Sequence, residues 1–356
     1  MSRHLATVVR VSEVRAHLNA DRLEICRVRG WDTITTKGQF SPGDLAVYLE
    51  VDALLPVEDP RFRFLSTRAT ARTDAEGRTG YVLRTIRLRG EVSQGLLLPL
   101  SDFPEAGPDP APGTDLTGPL QLRTYQPPVP AHLSGEVKGP RPSFVPRTDE
   151  ERVQNVPHLL LPGLRSPNGE QVFWAPTEKI DGTSASFFLH PKEGFGVCSR
   201  NLELLETERN TLWRVARSLG LPALLRDVSP GQALPVVLQG EVFGEGVQGN
   251  PLRLRGQHFR AFNLVINTQT VPRLDWPDAV YALSVPVHNL PFPSSVDQAL
   301  EQVSGLRSRI SPNRPAEGLV WRGSNHVHVQ HPDPSYGRVR ASFKVISNDY
   351  LLSHEQ

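Results

Sequence analysis

Lys179 stands in the run Glu178-Lys179-Ile180-Asp181-Gly182-Thr183-Ser184, where a primary amine, two carboxylates and a turn glycine lie within five residues. A lysine becomes a nucleophile when its amine is deprotonated and a phosphate is held close. Free lysine titrates near ~10.4, so a neutral amine at pH 7 costs roughly 4.6 kcal/mol unless nearby cations lower the pKa. Arginine cannot take this part, because it stays protonated in a protein. Among 39 basic residues only Lys37, Lys138, Lys179, Lys192 and Lys344 are lysine. Taken alone, Lys-x-Asp-Gly also fits a solvated hairpin, so its companions matter.

Those companions follow in order. Ser199-Arg200-Asn201 is a polar turn after a short apolar run. Val236 to Gly244 is a mostly apolar strand that carries Glu241 between two glycines. Phe259 to Ile266 is a strand with Phe262 near its centre, a core position on periodicity alone. Glu317-Gly318 opens another strand, and Lys344 lies between Phe343 and Val345 in a last one. A lysine in such a strand is costly to bury unless it meets an anion.

The elements around Lys179 read as a hairpin. Val172-Phe173-Trp174 and Ser186 to Leu189 are the flanking strands, and Asp181-Gly182 makes the turn. Leu204 to Leu219 has helical spacing, with Leu205, Leu212, Val215 and Leu219 on one face. Thr148 to Gln154 predicts a helix opened by a capping box of Thr148 and Glu151, with Arg152 and Asn155 available to a site or to the surface.

The first 120 residues predict short strands: Ala6 to Val11, Leu23 to Val28, Asp32 to Thr36, Leu45 to Leu49, Tyr81 to Leu88 and Gly95 to Leu100. That many strands in so short a stretch suggest a small barrel. The turn His17 to Leu23 resembles that of tRNA-binding OB domains, which predicts an OB fold with an exposed nucleic-acid-binding face. Residues 61–89 hold eight arginines against Asp74 and Glu76, interleaved with Phe62, Phe64 and Tyr81. As a set they read as a phosphate-gripping and base-stacking surface, with Ser66 to Gly80 as a loop. Eleven prolines between Pro104 and Pro146 put the domain boundary there: 1–125, a linker over 126–146, and 147–356. Net charge is +1, so any nucleic-acid surface is a local patch. Cys26 and Cys198 give neither a disulfide framework nor a metal cluster and fit a reducing cytosol. With neither a signal peptide nor a membrane span evident, a cytoplasmic protein is expected.

The ordered series Lys179-x-Asp181-Gly182, Ser199-Arg200-Asn201, Glu241-x-x-Gly244, Phe262, Glu317-Gly318 and Lys344 resembles the motifs of the covalent nucleotidyltransferases, which include RNA and DNA ligases and RNA capping enzymes. It is most similar to the ATP-dependent RNA ligases that carry an OB domain ahead of the transferase domain. The stretch Thr148 to Asn155 resembles that group too, and only twelve residues follow Lys344. The resemblance implies an α+β chain: an N-terminal OB-fold β-barrel, then a nucleotidyltransferase (ligase adenylation) domain of antiparallel sheets with flanking helices. It also implies RNA repair in three steps. Lys179 takes AMP from ATP, the AMP passes to an RNA 5′-phosphate, and a neighbouring 3′-hydroxyl displaces it.

The implied catalytic residues are Lys179, Asp181, Glu241, Glu317 and Lys344. Thr177, Glu178, Gly182, Arg200, Phe262 and Lys344 would hold the nucleotide, with Phe262 stacked on adenine. Asp181, Glu241 and Glu317 would hold Mg2+ or Mn2+, directly or through water. Arg61, Arg63, Arg84, Arg87, Arg89 and Arg152 would grip a nicked duplex containing RNA, and a monomer is expected. The family's last motif usually has two lysines one residue apart; here the first position is Ser342, with Arg340 two residues before it. Alternatives on the same core are a DNA ligase or a capping guanylyltransferase. Outside catalysis, the alternative is an OB-type RNA-binding protein.

Overall fold

The computed structural model describes residues 3–128, 135–229, 231, 233–325, 327–332, 334 and 337–354. The chain divides into two units, residues 1–131 with 351–356, and residues 132–350.

In the first unit Leu45–Leu49 is the pivotal strand. It pairs antiparallel with Ala6–Arg10 on one side and Leu96–Pro99 on the other. Because side chains alternate along a strand, Val47 and Leu49 enter one core while Ala46 and Tyr48 enter another. A meander of Glu13–Ala16, Leu23–Val28 and Trp31–Thr36 adds fully buried Trp31 to the second core.

The expected strand Tyr81 to Leu88 is two strands. Thr79–Val82 pairs with Ala53–Pro56, and Thr85–Leu88 forms a hairpin with Glu91–Gln94. Its two-residue turn is Arg89-Gly90, both at positive φ. Arginine rarely adopts that conformation, so the turn left no signal in the sequence. Ser66 to Gly80 is not simply a loop either. Arg72–Thr73 pairs with Thr79–Val82, and the Asp74 carboxylate accepts the backbone N–H groups of Glu76 (3.0 Å) and Arg78 (2.8 Å), closing the turn between them. One more short strand, Arg123–Thr124, pairs with Ala53–Pro56.

The second unit is built on two antiparallel sheets. The larger has seven strands in the order Val137–Pro140, Leu202–Leu204, Gly194–Cys198, Thr183–His190, Val236–Gly244, Gln257–Ile266 and Gln269–Val271. Its first strand comes from the proline-rich stretch expected to be linker. The smaller sheet is Trp174–Lys179, Gly318–Gly323 and Ser342–Ile346, so the hairpin expected at Asp181-Gly182 does not form: the strands before and after that turn pair in different sheets, and Val172 and Phe173 precede the first of them. Helices Thr211–Ser218 and Leu221–Val228 pack on the larger sheet, and Val296–Val303 packs on the smaller.

Two helix expectations need correction. Leu202–Leu204 is strand and the helix starts at Thr211, where the Asn210 side chain caps two backbone N–H groups. Leu212 and Val215 are buried as expected, but Leu205 precedes the helix and Leu219 ends it, both exposed. Thr148 opens no helix; its hydroxyl bonds the Ser184 hydroxyl at 3.0 Å, and only a short 3-10 turn, Val153–Asn155, follows. Among the described residues no helix is long and apolar enough to cross a membrane.

Candidate active site

The smaller sheet presents two faces. Leu319, Trp321, Phe343 and Val345 point into a buried cluster, where each large apolar side chain contributes about 1.5–3 kcal/mol. Period-two alternation then turns Gly318, Val320, Arg322, Ser342 and Lys344 to the opposite face. Pairing places Lys179 opposite Gly318, next to Glu317, and Val320 opposite Lys344. A cavity of about 180 Å³ lies there, lined by Glu178, Lys179, Arg200, Glu241, Phe262, Val320 and Lys344. Side chains more than 160 positions apart in the sequence thus meet in one place.

Two glycines permit this closeness. A Cβ on Gly182 would lie 2.4 Å from the Val242 carbonyl oxygen and 3.0 Å from Glu241 Cγ. One on Gly318 would lie 2.0 Å from the Val345 carbonyl oxygen. Any side chain at either position would push strands apart beside an acidic residue of the site.

Lys179 Nζ donates to Glu317 Oε1 at 2.6 Å. Burial drives the Lys179 pKa down, but Glu317, Glu241 and Asp181 together outweigh it, and the net shift is upward. Burial pushes Glu241 up to about 8, opposed by Lys179 and reinforced by Glu317 and Asp181. Asp181 accepts from Tyr350 Oη at 2.9 Å, and burial, with Asp181 beside it, raises the phenol pKa. Glu317 Oε2 is buried with no hydrogen-bond partner. An excess of carboxylate around one amine, with an orphaned oxygen, suits a divalent cation. The described residues contain no group of three acidic, histidine or cysteine side chains near enough to hold one ion by themselves. One or two carboxylates with water and phosphate oxygens is the arrangement magnesium favours.

The other expected residues are placed as follows. Glu178 is buried and its carboxylate is fully engaged, accepting from Arg309 N (2.7 Å), the Ser308 hydroxyl and His288 Nε2 (3.4 Å). Its side chain therefore anchors a loop, whatever its backbone does. Thr177 Oγ1 donates to the Val320 carbonyl at 2.9 Å and accepts from Arg322 Nη1 at 2.9 Å. Phe262, half-buried, carries the Arg322 guanidinium 5.4 Å from its ring centre. Arg200 is paired with Asp149. Lys344 N donates to the Glu151 carbonyl at 2.7 Å, and Arg152 bridges to Lys344 along the backbone.

Among the arginines expected at a nucleic-acid surface, Arg63, Arg84, Arg87 and Arg89 are exposed. Two depart from expectation. Arg152 is only 8% exposed and lies within the second unit's wall beside Lys344. Arg61 is held by Asp59 (2.7 Å) and Glu105 (3.0 Å) and lies 4.8 Å over Phe103. Its donors serve the fold.

Sequence reasoning missed Glu150, a buried carboxylate that accepts from Ser342 Oγ (2.6 Å), Arg340 Nη2 (3.0 Å) and Arg322 Nη2 (3.2 Å). In an acidic run it had nothing to mark it. Arg322 was readable, two residues beyond Val320 on the same strand face.

A family model for an OB-fold domain matches residues 5–100, and one for RNA ligase matches residues 172–346. Solved structures of the Naegleria gruberi RNA ligase match the whole length. One, with pyrophosphate, is 33% identical with a TM-score of 0.79, covering 99% of both chains. A variant with AMP and Mn gives the same values, and a variant with ATP and Mn gives 33% identity, TM-score 0.78 and 99% coverage of both chains. The chain belongs to the ATP-dependent RNA ligase family. No curated protein sequence matches it closely enough to count as a relative. The ligase thus has the expected α+β organisation, an OB-fold domain ahead of a ligase domain.

Proposed function

We propose that the ligase joins RNA 3′-hydroxyl and 5′-phosphate ends, in nicked duplexes, through AMP carried on Lys179. The carrying observation is the amine at the floor of the cavity, 2.6 Å from Glu317 and surrounded by Glu241, Phe262, Arg200 and Lys344. The family resemblance supports it, and so do the AMP, ATP and pyrophosphate of the Naegleria structures.

In this reading Lys179 attacks the α-phosphorus of ATP, forming an N–P bond as the bond to pyrophosphate breaks. Phe262 stacks on the adenine, and Arg200 and Lys344 meet the ribose and α-phosphate. The AMP then passes to the RNA 5′-phosphate, and the 3′-hydroxyl displaces it to form the phosphodiester. Each step crowds negative charge at phosphorus, so stabilisation is mainly electrostatic. Of Glu241, Glu317 and Asp181, one or two would hold Mg2+ or Mn2+ directly and the rest through water; the charge of the ion would neutralise phosphate oxygens and disfavour the ammonium form of Lys179. Glu317 orients the amine. The exposed arginines Arg63, Arg84, Arg87 and Arg89 grip the RNA backbone. The ligase acts as a monomer in the cytosol.

The test is incubation with magnesium and α-labelled ATP or GTP, then sealing of nicked duplexes with RNA or DNA at each strand position. Label from ATP alone, with sealing of nicked duplexes that contain RNA, is expected. Label from neither nucleotide ends the reading.

A further inference from the structure

Beside the nucleotide cavity lies a second one of about 250 Å³, sharing Phe262 and Arg322 with the first. Arg147, Arg273, Arg322 and Arg340 line it, and none of its lining residues is acidic. Four guanidinium groups around one cavity carry more positive charge than the single carboxylate bonded to two of them, Glu150, can offset, which favours the entry of an anion.

Lys344, within Ser342–Ile346, lines the first cavity, while Ser342 and Arg340, the latter ending the short strand Arg338–Arg340, line the second. Phe343 and Val345 pack into the buried cluster, so Ser342 and Lys344 share the opposite face of their strand, and Arg340 meets Ser342 at a common partner, Glu150. Glu150 gathers three groups there. It accepts from Arg322, Arg340 and Ser342, and its side chain is only 6% exposed. One carboxylate between two guanidinium groups cancels part of their repulsion and fixes their planes. Arg340 remains 40% exposed with donors to spare, and Arg322 Nε is buried without a partner.

We propose that Glu150 positions Arg322 and Arg340 as a paired guanidinium clamp for the β- and γ-phosphates of the nucleotide, the part that leaves as pyrophosphate. Lys344 then meets the α-phosphate and Arg340 the tail, with Ser342 between them serving Glu150 instead of the ligand. Guanidinium forks suit phosphate oxygens, and each charge-assisted hydrogen bond is among the stronger ones available. Glu150 is a positioning residue: it touches the arginines, not the substrate.

This inference rests on the nucleotide reading of the first cavity, which labelling of wild type against Lys179→Ala decides separately. Its own test is calorimetric titration of the full chain with inorganic pyrophosphate and with AMP, each with magnesium. Arg340→Ala should weaken pyrophosphate at least about tenfold and leave AMP within about twofold. Glu150→Gln, which keeps size but loses charge, should do the same more weakly. Arg340→Ala combined with Ser342→Lys should recover pyrophosphate binding to within about threefold, because residue 342 lines the same cavity and also lies against Glu150. A purely structural role for Arg340 predicts no such recovery. Unchanged pyrophosphate affinity in Arg340→Ala, equal losses for AMP and pyrophosphate, or no recovery with the added lysine would each overturn the clamp.

Discussion

Around Lys179 one amine and three carboxylates influence each other beside a cavity, whereas between Arg61 and Arg89 seven of eight arginines lie exposed. In the first region each charge changes its neighbour's state. Burial alone would lower the Lys179 pKa, yet the surrounding acids reverse that, and Glu241 is itself displaced to about 8. In the second region solvent and salt screen every charge, so the arginines act as a sum. The exception is Arg61, which Asp59, Glu105 and Phe103 convert into part of the fold. Charge placed among strands makes a specific site; charge placed in water makes a general affinity.

The largest effects should come from the enclosed region. Lys179→Arg keeps the positive charge but removes the proposed nucleophile, and labelling by α-labelled ATP should fall to background. Retained label would erase the distinction between the two regions. Glu317→Gln removes the 2.6 Å partner and a proposed cation ligand, and the initial labelling rate should fall about a hundredfold or more.

A pH effect sharpens the contrast. The Glu241 pKa is raised from an ordinary 4.5 to about 8. The folded chain therefore holds this proton more tightly than the unfolded one. That stabilisation is complete below pH 4.5 and is lost as pH rises through about 8. Without nucleotide or divalent cation, the thermal midpoint of the ligase should fall across that window. Glu241→Gln should remove that part of the fall; an identical profile in the variant would show that the buried carboxylate is not responsible.

The smallest effects belong to the exposed arginines. Replacing Arg84, Arg87 and Arg89 with glutamine should leave labelling within about twofold. It should lower the salt dependence of RNA binding by about 0.9 in log–log slope for each phosphate no longer neutralised. Arg61→Ala should do the reverse, costing about 1 kcal/mol of stability with the slope unchanged.

The same division explains what the sequence disclosed. Lys179, Glu241, Phe262 and Lys344 were visible through the order of their motifs and its resemblance to the nucleotidyltransferases, not through alternation: Trp174–Lys179 is not an apolar strand, and Val236–Gly244 is buried almost throughout. Their convergence, by contrast, depends on which strand pairs with which, and period-two patterns do not encode partners. The three-way bond at Glu150 was hidden for that reason: its donors come from about 170 to 190 residues downstream. The helix expected from Leu204 failed because a strand and a capped start at Asn210 share the same apolar spacing. The turn at Arg89-Gly90 was missed because tertiary pairing forced an unusual backbone on arginine.

The most direct measurement is peptide mapping of the ligase after incubation with ATP and magnesium, without RNA. AMP should be found on the peptide containing Lys179 and nowhere else. AMP on the peptide containing Lys344, or no covalent AMP while sealing proceeds, would contradict the account.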